Sequence, residues 1–338
     1  MAKQHPTLSE IAGEAGVSVS TVSKVINGRL DVAATTRRRV EQLLEKHRYQ
    51  PRGNGERRAV GLIDLVFPDL TSPWALEIIA GVEEVTHEAG FGVVVSAVHD
   101  RKRSRPGRKW LENVRARCCD GVVLAHSELS AQQQDQLDAL GVSVVSVDPV
   151  GSPASSIPAV GAANWDGGLT ATEHLLGLGH ERIATLAGPS DVMCSRARVD
   201  GYRSAMRGAG IGVPEGYIRH GDFLPGTGEE LTGELLDLPE PPTAIFAGSD
   251  QMASGVYDAL HKRGLHVPEE VSVVGFDDLP EARQVTPSLT TVRQPLRDMA
   301  QFATRMLFDL INGNEPETTR VELSTRLVER DSTAPPKG

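Results

Sequence analysis

Residues 7–51 read TLSEIAGEAGVSVSTVSKVINGRLDVAATTRRRVEQLLEKHRYQP, and their helical pattern decides how the chain begins. Thr7-Leu8-Ser9-Glu10 has the S/T-x-x-E spacing in which hydroxyl and carboxylate satisfy the first free backbone N–H groups of a helix, so a helix starts at Leu8. Leu8, Ile11, Ala12 and Ala15 fall on one face of it. Gly16 can take the left-handed conformation that ends this helix, and Ser18 can cap a second one that turns Val22, Val25 and Ile26 inward. A Gly-centred break of a few residues between two short helices is helix-turn-helix spacing, which presents the second helix to a major groove. A third helix is predicted over about Thr35 to His47, with Val40, Leu43 and Leu44 inward.

The second helix leaves Val19, Ser20, Thr21, Ser23, Lys24 and Asn27 outside. Short polar groups with one long cation can approach base edges closely: Lys24 could donate to guanine, Val19 could touch a thymine methyl, and the hydroxyls could bond phosphates or bases. A solvated helical hairpin would show the same face. Arg37, Arg38 and Arg39 stand where cations oppose a helix dipole, so phosphate contact or simple solvation explains them, and helix stability does not.

Charge is divided unevenly along the 338 residues. Residues 1–58 carry eleven Lys/Arg against six acids while the whole chain is at −10, so a small basic head precedes an acidic body, and a polyanion would meet the head. Cys118, Cys119 and Cys194 give neither a disulfide framework nor a metal-binding CxxC. The start, MAKQHPTLSE, lacks the apolar core of a signal peptide, and no apolar run is long enough to span a bilayer. The expectation is a cytoplasmic protein with no membrane partner.

From Val60 the pattern changes. VGLIDLVF, FGVVVSAV, DGVVLAH and VSVVSVD are β-rich, and amphipathic stretches such as WALEIIAGVEEVTHEAG separate them. Continuous apolar strands between helices mean parallel sheets covered on both faces, and the pattern repeats from residue 171 to 278, so two doubly wound α/β units are predicted. Such sheets bind ligands at the carboxyl ends of their strands. Those positions hold Pro68 to Trp74, His99 and Asp100, Asp148, Asn164 to Asp166 including Trp165, Gly188 to Ser195, Asp222 with Phe223, Ser249 with Asp250, and Asp277 with Asp278. Carboxylates and amides that bond hydroxyls, with aromatic faces that stack on C–H groups, suit a carbohydrate. Helix caps and core aromatics would account for the same residues one by one.

The segment 7–51, above all AGVSVSTVSKVING, resembles the headpiece of the LacI/GalR family of bacterial transcription repressors. The body resembles that family's effector domain, a relative of periplasmic sugar-binding proteins, through SPWALEIIAGVEE, TEHLLGLGHERIATLAGP, RARVDGYRSAM, FAGSDQMASGV, VPEEVSVVGFDD and PSLTTVRQP. The resemblance implies an α/β fold, with a three-helix headpiece over 1–51, a linker over 52–59 and a periplasmic-binding-protein-like body over 60–338. One subdomain would take about 60–160 plus 291–318 and the other about 161–290 plus 319–332, with three crossings. Base reading falls on Val19 and Ser20, and on Lys24 where many members have Arg; Lys keeps the charge and loses the bidentate fork. Thr7, Tyr49 and the linker cations Arg52, Arg57 and Arg58 complete the expected DNA contacts.

The implied effector cleft holds Trp74, Arg198, Phe223, Ser249, Asp250, Asp277 and Gln294, with Asp100 added from the strand-end reading. Ser249 replaces the family's usual Asn, and Trp165 is expected to compensate. The wording LIDLVF and SPWALEII is similar to members that repress xylan or xylo-oligosaccharide use, a pointer to a pentose-type sugar. In PRGNGERR, where the family has a hinge helix with a wedging Leu, two glycines and no Leu predict a tether without a helix.

Expected partners are therefore near-palindromic operator DNA, a small carbohydrate and a second copy of the chain; the ending RDSTAPPKG cannot form the heptad helix that makes tetramers. No nucleotide-binding or hydrolase motif occurs, so no cofactor and no catalysis is expected. A sugar-binding protein without DNA function is the competing reading, and an α/β enzyme a more distant one.

Overall fold

The described residues of the opening segment form the short helices α1 (Leu8–Ala15), α2 (Val19–Ile26) and α3 (Ala34–Lys46). Gly16 takes φ +65°, Val17 N–H reaches back to Ala12 O at 3.0 Å, and Ser18 Oγ accepts from Thr21 N–H at 3.2 Å, so the turn and cap read in the sequence are in place. Ile11, Ala12, Ala15, Val22, Val25 and Val40 form the headpiece core, with Val17, Val32, Leu43 and Leu44 packed against it. The computed structural model describes residues 8–26, 32–46, 60–98, 104–151 and 156–337. The chain divides after Val60 into this headpiece and a larger body.

The body begins with β1 (Leu62–Phe67), α4 (Pro73–Glu88), β2 (Gly92–Ala97), α5 (Arg108–Arg117), β3 (Gly121–Ala125), α6 (Ala131–Ala139), β4 (Ser143–Val147) and β5 (Ala159–Ala162). A second series follows: α7 (Asn164–Gly177), β6 (Ile183–Ala187), α8 (Met193–Gly208), β7 (Ile218–His220), α9 (Pro225–Leu236), β8 (Ala244–Ala247), α10 (Asp250–Lys262), β9 (Ser272–Asp277) and β10 (Thr290–Arg293). The chain ends with α11 (Leu296–Ile311), β11 (Arg320–Leu323) and β12 (Arg326–Val328).

Among the described residues two six-stranded sheets result, ordered β11-β5-β4-β3-β1-β2 and β12-β10-β9-β8-β6-β7. Every pairing is parallel except the antiparallel β10–β12. Both sheets reverse direction beside their first strand, which puts a topological switch point at β1/β3 and another at β6/β8. β1, β3 and β9 are buried along nearly their whole length, as their unbroken apolar runs require, whereas β2 is a half-exposed edge strand.

The chain crosses between the halves three times, but the boundaries differ from the sequence expectation. β10 pairs with β9 and stays in the second half, so residues 291–293 do not belong to the first; the crossing comes after Gln294. β11 pairs with β5 in the first half, and only β12 returns to the second. Short strands carry no mark of their partner, and pairing alone decides. After β12 the tail is tied to the second sheet: Ser332 is fully buried, its Oγ donates to Val273 O at 2.6 Å and accepts from Thr290 N–H at 2.8 Å.

Helices α7 and α8 touch backbone to backbone. A Cβ on Gly168 would lie 2.2 Å from Arg198 O, and one on Gly201 would lie 2.2 Å from Trp165 O, so only glycine permits this approach. Its consequence is positional, because Arg198 is set by α8 at a fixed depth beneath the sheet ends.

Candidate functional site

The carboxyl ends of both sheets face one cavity of about 480 Å³, within the ~300–1,000 Å³ usual for small-molecule sites. Phe67, Trp74, His126 and Phe223 supply its aromatic wall, while Asp148, Arg198, Ser249, Asp277 and Gln294 supply polar groups. Trp74 stands edge-on to Phe67 at 6.3 Å and to His126 at 6.2 Å, and His126 stands edge-on to Phe223 at 6.5 Å. Phe223 keeps its place with a left-handed backbone, φ 67°, and its ring lies against Gly188, where any Cβ would clash.

Arg198 forms the floor. It is 4% exposed, its Nε donates to Asn164 Oδ1 at 2.8 Å, and its Nη1 donates to Gly248 O at 2.5 Å. The guanidinium lies 3.7 Å above the Phe276 ring centroid and 4.0 Å from Asp277 Oδ1. Burial pushes the Asp277 carboxyl up to about 7, against the pull of the Arg198 charge and the Gln294 amide that donates to it at 2.5 Å. Gln294 Oε1 is buried with no partner among the described residues, an acceptor available to a ligand hydroxyl.

Asp148 ends β4 with φ 49° and lies 3.3 Å from His126 Nδ1. Burial alone would raise its carboxyl; the hydrogen bond and charge of His126, with Arg198, overcome that and hold it low. Burial and the Asp148 charge push the Cys194 thiol far up, so it stays a neutral SH next to this pair.

Of the residues expected in the cleft, Trp74, Arg198, Phe223, Ser249, Asp277 and Gln294 line the cavity, and two do not. Trp165 is 42% exposed and does not line the cavity, whereas Asn164, at the first position of α7, is buried and accepts from Arg198. Asp250 lies beneath the cavity, fully committed: its carboxylate accepts from Leu279 N–H at 2.7 Å and from Thr291 Oγ1 at 2.5 Å. Burial, then the neighbouring Asp277, raises its carboxyl well above the usual range. Ser249 caps α10 by accepting from Met252 N–H at 3.0 Å and donates to Phe223 O at 3.1 Å, which leaves no substitute for an amide at that point. Asp100 lies outside the described residues. His126 was missed, although it stands directly after β3 and the strand-end rule applies to it as to the others.

On the headpiece, Val19 is 44% exposed, Ser20 is exposed, and Ser20 and Thr21 each share a 2.8 Å hydrogen bond with Ser18 Oγ. Arg37 sits partly exposed in the first turn of α3. Ser23 and Lys24 lie on α2, but their side chains are outside what is described, as are Thr7, Asn27, Tyr49, Arg52, Arg57 and Arg58 altogether.

A helix-turn-helix headpiece ahead of a two-sheet body with a cleft at its switch points defines a class of bacterial regulator, and comparison with known proteins agrees. Residues 7–52 match the bacterial regulatory protein lacI family, and residues 172–333 match a periplasmic binding protein-like domain. The transcriptional regulator CelR of Thermobifida fusca is 34% identical over 98% of this chain and 99% of its own. The ribose operon repressor of Escherichia coli K12 is 33% identical over 96% and 99%. A solved CelR–cellobiose complex superposes with a TM-score of 0.73 at 34% identity, covering 97% of this chain and 99% of that one. The lac repressor dimer bound to operator and an anti-inducer gives 0.70 at 29% identity, over 98% and 100%. The chain belongs to the LacI family of transcriptional regulators.

Proposed function

We propose that the protein is a dimeric, cytoplasmic repressor whose operator affinity is set by a neutral mono- or disaccharide in the cleft, and that it acts by binding and not by catalysis. The cavity carries this reading: an aromatic wall against C–H faces, carboxylates and an amide oxygen with no partner among the described residues for hydroxyls, and, among the described lining residues, one arginine, Arg198, already tied to protein partners. Relatives solved with cellobiose and with ribose support a sugar of this size. Among the described residues no helix is long and apolar enough to cross a membrane. Effector binding would favour one closure of the two halves, and by linkage operator binding would respond to the same extent. A thermal-shift screen against cellobiose, xylobiose, ribose and related sugars is the direct test; occupancy at 100 times the dissociation constant should stabilise the fold by about 2.7 kcal/mol. A shift that survives Phe223→Ala and Arg198→Ala together would remove the cleft from the reading. Absence of salt-dependent DNA binding by the full chain would remove the repressor.

A further inference from the structure

We propose that His126, Asp148 and Cys194 form a site for a divalent transition metal of the zinc class, with one coordination position open to the cleft. One donor atom from each of the three lies within 4.8 Å of the others. His126 Nδ1 and Asp148 Oδ2 are 3.3 Å apart, the separation expected of two donors each roughly 2.0–2.1 Å from one tetrahedral ion. Imidazole and thiolate donors select zinc, cobalt or copper over magnesium and calcium, whose sites are built from oxygen.

Charge also closes around such an ion. A Cys194 thiolate and the Asp148 carboxylate would together match a divalent cation, in a setting where Asp148, Cys194 and Arg198 are all buried. Metal binding would expel the Cys194 proton to solvent as the sulfur–metal bond forms, as coordination of a thiol requires. His126 and Asp148 come from the first half of the body, Cys194 from the first turn of α8 in the second, so one ion would bridge the cleft and favour its closed form. Three protein ligands leave a fourth position toward the cavity for water or a sugar hydroxyl. The three residues stand far apart in the sequence, so no motif spacing reveals them.

The site is tested on the full-length, reduced protein by titration with cobalt(II), followed by visible and near-ultraviolet absorption. The expected result is one equivalent bound with a thiolate-to-cobalt charge-transfer band, displaced by zinc. Cys194→Ser should abolish the band and weaken cobalt binding at least ~10-fold, His126→Asn should weaken it similarly, and Cys118→Ser should change nothing. Absence of stoichiometric binding would overturn the site, as would a band that persists in Cys194→Ser. Far-ultraviolet circular dichroism confirms that each variant is folded, and His126→Asn decides the matter if Cys194→Ser is not. The readout needs neither sugar nor operator, so its failure is distinct from failure of the repressor reading, which is measured separately in the presence of EDTA.

Discussion

Ser72 Oγ donates to Gln251 Oε1 at 2.8 Å, joining the N-cap of α4 in one half of the body to α10 in the other, at the rim of the cavity. This bond exists only when the halves are together. Gln251→Ala should therefore weaken sugar binding by about 2- to 12-fold, the equivalent of one net hydrogen bond of roughly 0.5–1.5 kcal/mol, and leave thermal stability nearly unchanged. Gln251 is the residue to change, because Ser72 also caps α4 by accepting from Trp74 N–H. Isothermal titration gives the affinity; an unchanged value would mean that the closed form does not depend on this bond.

Asp277 should make stability fall as pH rises. Its folded value is pushed up to about 7, so between roughly pH 4 and 7 the folded protein holds a proton that the unfolded chain has released. The contribution is complete below the unfolded carboxylate value and is lost as pH climbs through 7. Asp277→Asn removes this loss, so the variant should gain stability relative to the native protein on going from pH 5 to pH 8. Urea midpoints at the two pH values measure the difference, and parallel curves would contradict a raised Asp277.

Ser332→Ala should cost about 1–3 kcal/mol, since it strips a buried Thr290 N–H of its acceptor. Chemical denaturation of the body would show it, whereas an exposed tail serine would be silent. The neighbouring Asp278 is clamped by Arg293 and Arg330, and Arg330→Ala should destabilise as well by leaving a buried carboxylate with one cation fewer.

Ile11→Ala should abolish operator binding and leave the sugar-dependent thermal shift intact. Ile11 is 1% exposed in a headpiece core of few residues, and losing such a side chain costs roughly 2–5 kcal/mol, more than a unit this small can spare. Gel-shift and thermal-shift measurements on one preparation separate the two effects. Loss of both would show that the units do not fold independently.

Much of this architecture was readable because its signals are local. Gly16 and Ser18 mark a turn by their own backbone and hydroxyl chemistry, and the α1 and α2 faces follow from a fixed period, so the headpiece helices fall within a residue or two of their expected ends. Long apolar runs likewise announce β1, β3 and β9. The partner of β10 was not readable, since Thr290 to Arg293 would suit either sheet and only spatial pairing chooses. Trp165 was misplaced for a related reason: a strand-end position names a neighbourhood, but the rotation of α7 decides whether Asn164 or Trp165 turns inward. His126 was readable and overlooked. Gln251 was not, because nothing in α10 indicates that Ser72 lies opposite.

The three crossings have a consequence for synthesis. Among the described residues, the headpiece core is complete once residue 46 has left the ribosome, while the first sheet lacks its edge strand until Leu323 and the second lacks β12 and the Ser332 strap until the final residues. Non-local pairing of this kind is slow to form and arrives last. A growing chain thus owns a foldable DNA-facing unit for most of its translation before either wall of the cleft is finished, and in a nascent molecule the part that would grip is ready well before the part that would listen.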